Sequence, residues 1–196
     1  MAAEWPWGAV PGADVTIDTR QHAGKHEHVD RWFAAHGVST ATAKLDFGDY
    51  MRVGSNVSVD TKASVEELAA NVLSREHDRF RRECERARAA GYRLVILVEG
   101  VPGADGPEGL AAWVRRRCAS CRRCGVDWGK AYSCPRHKVT LLKAARLLKA
   151  LETMRRDHGV EVRWCGRRDT ARIICELLGV DHAKRQQRQG GDNDGG

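Results

Sequence analysis

The chain has 196 residues, of which 42% are hydrophobic and 30% charged, and its formal net charge is +7 at pH 7. This length suits one domain with its own hydrophobic core. The sequence has no run of about 18 apolar residues, and its N-terminus lacks the basic region followed by an apolar region that a secretory signal needs. We therefore expect no transmembrane helix, no secretory signal and a cytoplasmic location.

The excess positive charge is concentrated in one short window. Residues 115–138 carry eight basic side chains against a single acid, Asp127. Such a patch fits a polyanionic partner, most simply DNA, although a solvated charged loop explains a basic run equally well. The eight are Arg115, Arg116, Arg117, Arg122, Arg123, Lys130, Arg136 and Lys138.

The first 62 residues are predicted to form short strands and one helix. Alternating β-branched residues predict a strand over 14–19, and apolar residues at helical spacing predict a helix over 28–37. Three further strands are predicted as a meander, over 39–45, 50–54 and 57–62.

Strands and helices alternate from residue 57 onward, which indicates an α/β fold with a mixed sheet flanked by helices. Ser64 and Glu67 form a capping box for a helix over 64–74. The most apolar strand, over 93–100, is expected at the centre of the sheet. The remaining predicted elements are helices over 76–91, 110–117, 139–159 and 168–179 and a strand over 160–165.

Three aspartates and a lysine stand at predicted strand ends. Asp60 and Lys62 are two residues apart on one strand, so their side chains share a face. If the strands next to Asp18, Asp49 and Asp60 are neighbours, the carboxylates converge at one edge of the sheet. A divalent cation would relieve their repulsion, and the lysine would hold or activate an attacking water. Each aspartate alone is more typical of an ordinary turn or strand end, and it is the three together that indicate a site.

Five sequence blocks stand in a characteristic order along the chain: "IDTRQ" (17–21), "GDY" (48–50), "VDTKASVEE" (59–67), "HDRFRREC" (77–84) and "LVILVEG" (94–100). Together they resemble the nuclease domain of the ERCC4 family, a branch of the PD-(D/E)XK superfamily, in a single-domain, phage- or bacterial-type form. The resemblance implies a restriction-endonuclease-like fold over 14–180, with 101–138 as a basic, Cys-rich insertion, 1–13 as an N-terminal extension and 183–196 as a disordered tail.

The resemblance also implies an activity, a Mg²⁺- or Mn²⁺-dependent endonuclease that hydrolyses phosphodiester bonds in duplex or branched DNA. Asp49 and Asp60 take the metal-ligand positions and Lys62 the catalytic lysine position. Asp18 and Glu66 occupy the remaining acidic positions of the family pattern, and Arg79 is placed to contact phosphate.

Three residues depart from the family pattern. Gln21 replaces a glutamate, Thr61 replaces an arginine, and Asp60 replaces a longer glutamate. The acid set stays complete, so we expect activity; Gln21 and Thr61 are the features that support the alternative, a nuclease fold without catalysis that binds DNA or a partner protein.

A cysteine cluster lies within the basic window. Pairs of ligands with two residues between them at both ends of the cluster are typical of tetrahedral zinc sites, and four of the five candidates would suffice. The alternatives are reduced free thiols or a redox or zinc sensor. The candidates are Cys118, Cys121, Cys124, Cys134 and His137.

The long helix over 139–159 carries an apolar stripe, formed by Leu141, Ala144, Ala145, Leu148 and Leu151. Resemblance to the family suggests a homodimer through the C-terminal helices, but the same stripe is also suited to packing against the sheet.

Overall fold

A computed structural model describes residues 7–21, 24, 26–74, 77–101, 106–121, 134 and 136–181. Within these ranges, six strands form one mixed sheet in the order β2-β1-β3-β4-β5-β6. The strands are β1 (Val15–Asp18), β2 (Thr40–Ala43), β3 (Tyr50–Met51), β4 (Val57–Lys62), β5 (Arg93–Val98) and β6 (Glu161–Trp164). The helices are α1 (Glu27–Ala35), α2 (Val65–Leu73), α3 (His77–Ala89), α4 (Gly106–Cys121), α5 (Leu141–His158) and α6 (Thr170–Leu178).

The predicted α/β architecture, a mixed central sheet flanked by helices, is confirmed. β4 and β5 pair in parallel along their whole length and lie inside the sheet. β5 is apolar and rich in β-branched residues after Arg93, and every residue of β4 is buried. A strand covered on both faces reads as a continuous apolar run, which is why "RLVILV" predicted a central position.

Helices cover both faces of the sheet, and successive residues of each strand alternate between the two resulting cores. Val57 and Val59 of β4 pack with α1 and α6. Ile96 and Val98 of β5 pack on the opposite face with α2, α3, α4 and α5. Asp60 lies one residue after Val59, so alternation directs it to the face covered by α2 and α3.

The predicted meander is wrong in one respect. β3 and β4 form the expected antiparallel hairpin. β2 does not continue it; it pairs in parallel with β1, on the side of β1 away from β3. The cause is α1, which acts as a crossover and returns the chain to the start of the sheet, so that the next strand runs parallel. β3 then inserts between β1 and β4.

Two helices differ from their predicted form. α4 runs on to Cys121, beyond the predicted end at residue 117, and its Leu110 and Val114 are fully buried in the core. In α5 the buried face is rotated from the predicted stripe, since Leu147 and Met154 are buried with Ala144 and Leu151. The buried face of α5 therefore packs into the core beside α2, α3 and α4.

The capping box of α2 is confirmed. The Ser64 hydroxyl accepts a hydrogen bond from the Glu67 amide, and the Glu67 carboxylate accepts one from the Ala63 amide. Among the helices of the described residues, none is long and apolar enough to cross a membrane.

Candidate active site

Strand direction brings the candidate acids to one edge of the sheet. All strands except β3 run in the same direction, so the carboxyl ends of β1 and β4 meet the amino end of β3. The backbone of Asp49 joins the three strands, because its carbonyl accepts from the Asp18 amide and its amide donates to Val59, both at 2.8 Å. Asp18, Asp49, Asp60 and Lys62 all line one cleft of about 270 Å³ there.

A glycine makes the approach of β3 to β4 possible. Gly48 adopts φ = +69°, and a Cβ at this position would lie 2.1 Å from the Ser58 hydroxyl oxygen. Only glycine combines a positive φ with so close an approach. The turn before Tyr50 thereby presents the Asp49 side chain to the cleft.

Asp60 and Lys62 form a buried ion pair at the floor of the cleft. The Lys62 Nζ lies 2.7 Å from Asp60 Oδ1 and 2.5 Å from Oδ2, and the two residues are 7% and 5% exposed. Burial raises the pKa of Asp60 to about 7; Lys62 opposes this rise, and the nearby charges of Asp49 and Glu83 add to it. Burial alone would lower the pKa of Lys62, but Asp60 and Asp49 outweigh it and raise the pKa to about 12.

Asp49 is held by Thr61, the residue between the buried pair. Its Oδ2 accepts hydrogen bonds from the Thr61 amide at 2.8 Å and from the Thr61 hydroxyl at 2.6 Å. Thr61, which stands where the family pattern has arginine, thus fixes one oxygen of a candidate metal ligand.

The structure adds two acids that the sequence analysis did not assign. Glu83 of α3 lines the cleft, and its Oε1 accepts a 2.9 Å hydrogen bond from the Gly48 amide. Glu67 of α2 lines it as well. Glu83 follows Phe80 by three residues and precedes Cys84, so it borders the buried stripe of a very polar helix. Its position beside this buried stripe was the signal by which the sequence could have indicated that Glu83 faces the cleft.

Arginines stand at the rim. Arg20, Arg79 and Arg86 all line the cleft, of which the sequence predicted only Arg79. Arg20 clamps Asp18, with its Nε 2.8 Å from Oδ2. Asp18 therefore orients an arginine at the mouth of the cleft.

The cleft residues fit a hard divalent cation. The buried Asp60 carboxylate lies close to the negative charges of Asp49 and Glu83, and carboxylate oxygens are the ligands Mg²⁺ prefers. Among the described residues, no three of the cleft carboxylates have oxygen atoms that all lie within 4.8 Å of one another. Two of them with several waters match the way Mg²⁺ is usually held.

Comparison with known proteins settles the family. The family model described as "ERCC4 domain" matches residues 17–177. The chain belongs to the ERCC4 domain family. This is a nuclease family, and the cleft lies within the matched residues. A search of curated proteins found no match.

Glu66 does not join the cleft of this ERCC4 domain. Its Oε1 forms an ion pair with Arg117 of α4, and it lines a separate groove with Lys138, Lys143 and Arg146. On a helix, adjacent residues diverge by about 100°, so Glu67 faces the cleft while Glu66 faces α4.

The basic window divides into engaged and exposed side chains. Arg117 pairs with Glu66, donates to the Val139 carbonyl at 2.6 Å and stacks on Trp113, so it is a structural contact. Arg115, Arg116, Arg136 and Lys138 are exposed. Arg122, Arg123 and Lys130 lie outside the described residues.

The structure describes four of the five zinc candidates, and Cys124 lies outside the described residues. Cys118 and Cys121 occupy the last turn of α4, and the His137 amide lies 3.4 Å from Cys134 Sγ. His137 Nε2 is buried without a hydrogen-bond partner among the described residues. No three of the four candidates that the structure describes have ligand atoms within 4.8 Å of one another.

A histidine cluster lies at the same edge of the sheet, on the opposite face from Asp60. Glu99 follows β5, and its Oε1 lies 2.8 Å from His28 Nε2 and 3.6 Å from His26 Nδ1. Glu99 and His26 are each 3% exposed. The sequence analysis assigned no function to these residues, because the two histidines are about 70 positions away from the glutamate.

Proposed function

We propose that the protein is a divalent-metal-dependent DNA endonuclease and that the cleft at the edge of β1, β3 and β4 is its active site. The buried Asp60–Lys62 pair carries this proposal. Burying an acid and a base costs desolvation free energy, which only close pairing and further hydrogen bonds offset. A buried pair beside other acids therefore indicates a functional site. Here it lies beside Asp49 and Glu83 at the carboxyl end of β4, which pairs in parallel with β5, and α/β proteins commonly bind ligands at the carboxyl ends of parallel strands.

Each cleft residue has a role that its contacts support. Asp49 and Asp60 would hold the metal, with Asp49 oriented by Thr61. A bound Mg²⁺ or Mn²⁺ would polarise the scissile phosphate and acidify a water. The Nζ of Lys62 would orient that water and stabilise negative charge that develops on the phosphate.

The remaining groups position the substrate and the acids. Arg20, Arg79 and Arg86 at the rim would bind flanking phosphates by charge-assisted hydrogen bonds. Glu83 anchors the Gly48 turn and adds negative charge beside the metal ligands. Glu66 has no place in this scheme, and Glu67 takes the position facing the cleft.

A cleavage assay tests the proposal. Wild-type protein is incubated with linear, nicked, flapped and single-stranded DNA, with Mg²⁺, with Mn²⁺ or with EDTA. We expect cleavage of at least one duplex or branched substrate with metal and none with EDTA. DNA binding in a gel-shift experiment without cleavage under any metal would instead establish a catalytically inactive binding module.

Zinc is a second, structural cofactor in the proposal. The two x2 spacings and the buried, unpartnered His137 Nε2 support Zn²⁺ binding between the end of α4 and the segment around 134–137. The ligand atoms of Cys118, Cys121, Cys134 and His137 would have to move closer together when zinc binds. Metal analysis of protein purified without chelators should show one equivalent of zinc less in Cys121→Ser than in the wild type; zinc-free protein with the same melting temperature would refute this part.

A further inference from the structure

The three residues of the histidine cluster are arranged like ligands of a single ion. One ligand atom each from His26, His28 and Glu99 lies within 4.8 Å of the other two. Around Zn²⁺, with bonds of about 2.1 Å, neighbouring tetrahedral ligands are about 3.4 Å apart. Two histidines and a carboxylate, with an open fourth position, are a common ligand set for this ion.

The hydrogen bonds of His26 leave a lone pair facing Glu99. Asp49 Oδ2 is a pure acceptor, so the Thr61 hydroxyl donates its proton to it at 2.6 Å. Thr61 Oγ1 then accepts from His26 Nε2, 3.3 Å away. In neutral His26 the other ring nitrogen, Nδ1, is therefore an unprotonated acceptor.

That arrangement sets two acceptors against each other. His26 Nδ1 is buried, has no hydrogen-bond partner among the described residues and lies 3.6 Å from Glu99 Oε1. This distance is too long for a hydrogen bond and close to the separation of two ligands on one ion. A cation between them would give His26 Nδ1 the partner that it lacks and would bind Glu99 Oε1 as well.

The residues that contact the cluster support the same arrangement. Glu99 Oε2 faces Arg167 Nε at 4.0 Å, which leaves Oε1 directed at the two imidazoles. His26 has its distal nitrogen fixed by Thr61, as metal-bound histidines usually have. His28 is 21% exposed, so the cluster has a route to solvent.

We propose that His26, His28 and Glu99 bind a divalent transition-metal ion of the Zn²⁺ type, at a site separate from the carboxylate site of the cleft. The two sites share Thr61, whose hydroxyl lies between His26 and Asp49. Imidazole ligands select Zn²⁺ over Mg²⁺, whereas the carboxylates of the cleft have the opposite preference.

Counting bound zinc tests the site without any measurement of nuclease activity. Metal-free protein is titrated with Zn²⁺ in excess Mg²⁺, which occupies the carboxylate site, and the wild type is compared with His28→Ala and with the near-isosteric Glu99→Gln. We expect each variant to bind one equivalent less than the wild type, with at least a tenfold loss of affinity at the affected site. His77→Ala, which removes a half-exposed histidine on α3, should bind as much as the wild type.

The expected loss must be separated from misfolding and from the cysteine cluster. Circular dichroism of the metal-free variants checks the fold; His28→Ala is the decisive variant because His28 is the most exposed of the three. With Co²⁺, loss of the cluster should remove only the d–d absorption of the ion bound by nitrogen and oxygen and leave any thiolate charge-transfer band unchanged. Folded variants that bind as many equivalents as the wild type, with the same affinity, would overturn the proposal.

Discussion

At the scale of single residues, the unusual feature is a carboxylate buried beside its base and beside other acids. Asp60 is 5% exposed, and Asp49 and Glu83 both act to raise its pKa. Such a group is unfavourable in a protein that has no use for it. We interpret the electrostatic repulsion between these carboxylates as the reason that a cation would bind here.

The ionisation of Asp60 should appear in the stability of the metal-free protein. Its pKa rises from 3.8 to about 7 on folding, so the stability from the neutral form is fully present below pH 4 and is lost as the pH rises through 7. The loss should be at most about 4 kcal/mol, since one pKa unit corresponds to about 1.4 kcal/mol. In EDTA, the free energy of unfolding of Asp60→Asn, measured with urea, should therefore fall less between pH 4 and 8 than that of the wild type.

The control for that experiment is Asp46→Asn, which changes an exposed aspartate in the loop before the Gly48 turn. It should retain the wild-type slope. An unchanged slope in Asp60→Asn would contradict the account of Asp60.

Glu83 gives a test of a residue that only the structure revealed. Glu83→Gln keeps the shape of the side chain but removes its negative charge from the cleft. We expect its cleavage rate with Mg²⁺ to fall about tenfold or more, while Glu85→Gln, on the same helix and paired with Arg81, should cut like the wild type. Equal rates for Glu83→Gln and the wild type would exclude Glu83 from the site.

At the scale of elements, sequence pattern predicted what depends on local periodicity and missed what depends on pairing. β5 and the cap of α2 followed from apolar runs and from Ser64. The place of β2 did not, because strand order is decided by crossover connections and tertiary packing. Asp18, Asp49, Asp60 and Lys62 were predicted because strand ends are local signals. Glu83 and the histidine cluster were not, because their neighbours are distant in sequence.

The Gly48 turn is the element on which the site depends most. Gly48→Ala should destabilise the protein by more than about 2 kcal/mol, since the left-handed backbone alone costs 1–2 kcal/mol and the new Cβ would clash with Ser58. Thermal and urea unfolding measure the effect. Gly54→Ala is the matched control: Gly54 also has positive φ but no atom near its Cβ position, so it should cost only the backbone term. Equal losses in both variants would refute the close packing at Gly48.

At the scale of the whole molecule, the exposed basic residues of α4 lie on the same face of the sheet as the cleft. Arg115 and Arg116 are exposed there, and phosphate contacts give affinity that depends on salt but not on sequence. The double variant Arg115→Ala/Arg116→Ala should bind duplex DNA more weakly, with the slope of log K against log salt reduced by about 2.

The control for DNA binding is Arg172→Ala on α6, which covers the opposite face and pairs with Glu176. It should bind DNA with the affinity and salt dependence of the wild type. A double variant with an unchanged salt slope would remove α4 from the proposed interface.

The central claim is that the Asp60–Lys62 pair performs the chemistry. The most direct test compares single-turnover DNA cleavage with Mg²⁺ for wild type, Asp60→Asn and Lys62→Met, with DNA affinity measured on the same samples. We predict at least about a 100-fold loss of rate in both variants, while the fold and DNA affinity are retained. Folded variants that cut as fast as the wild type would contradict the account.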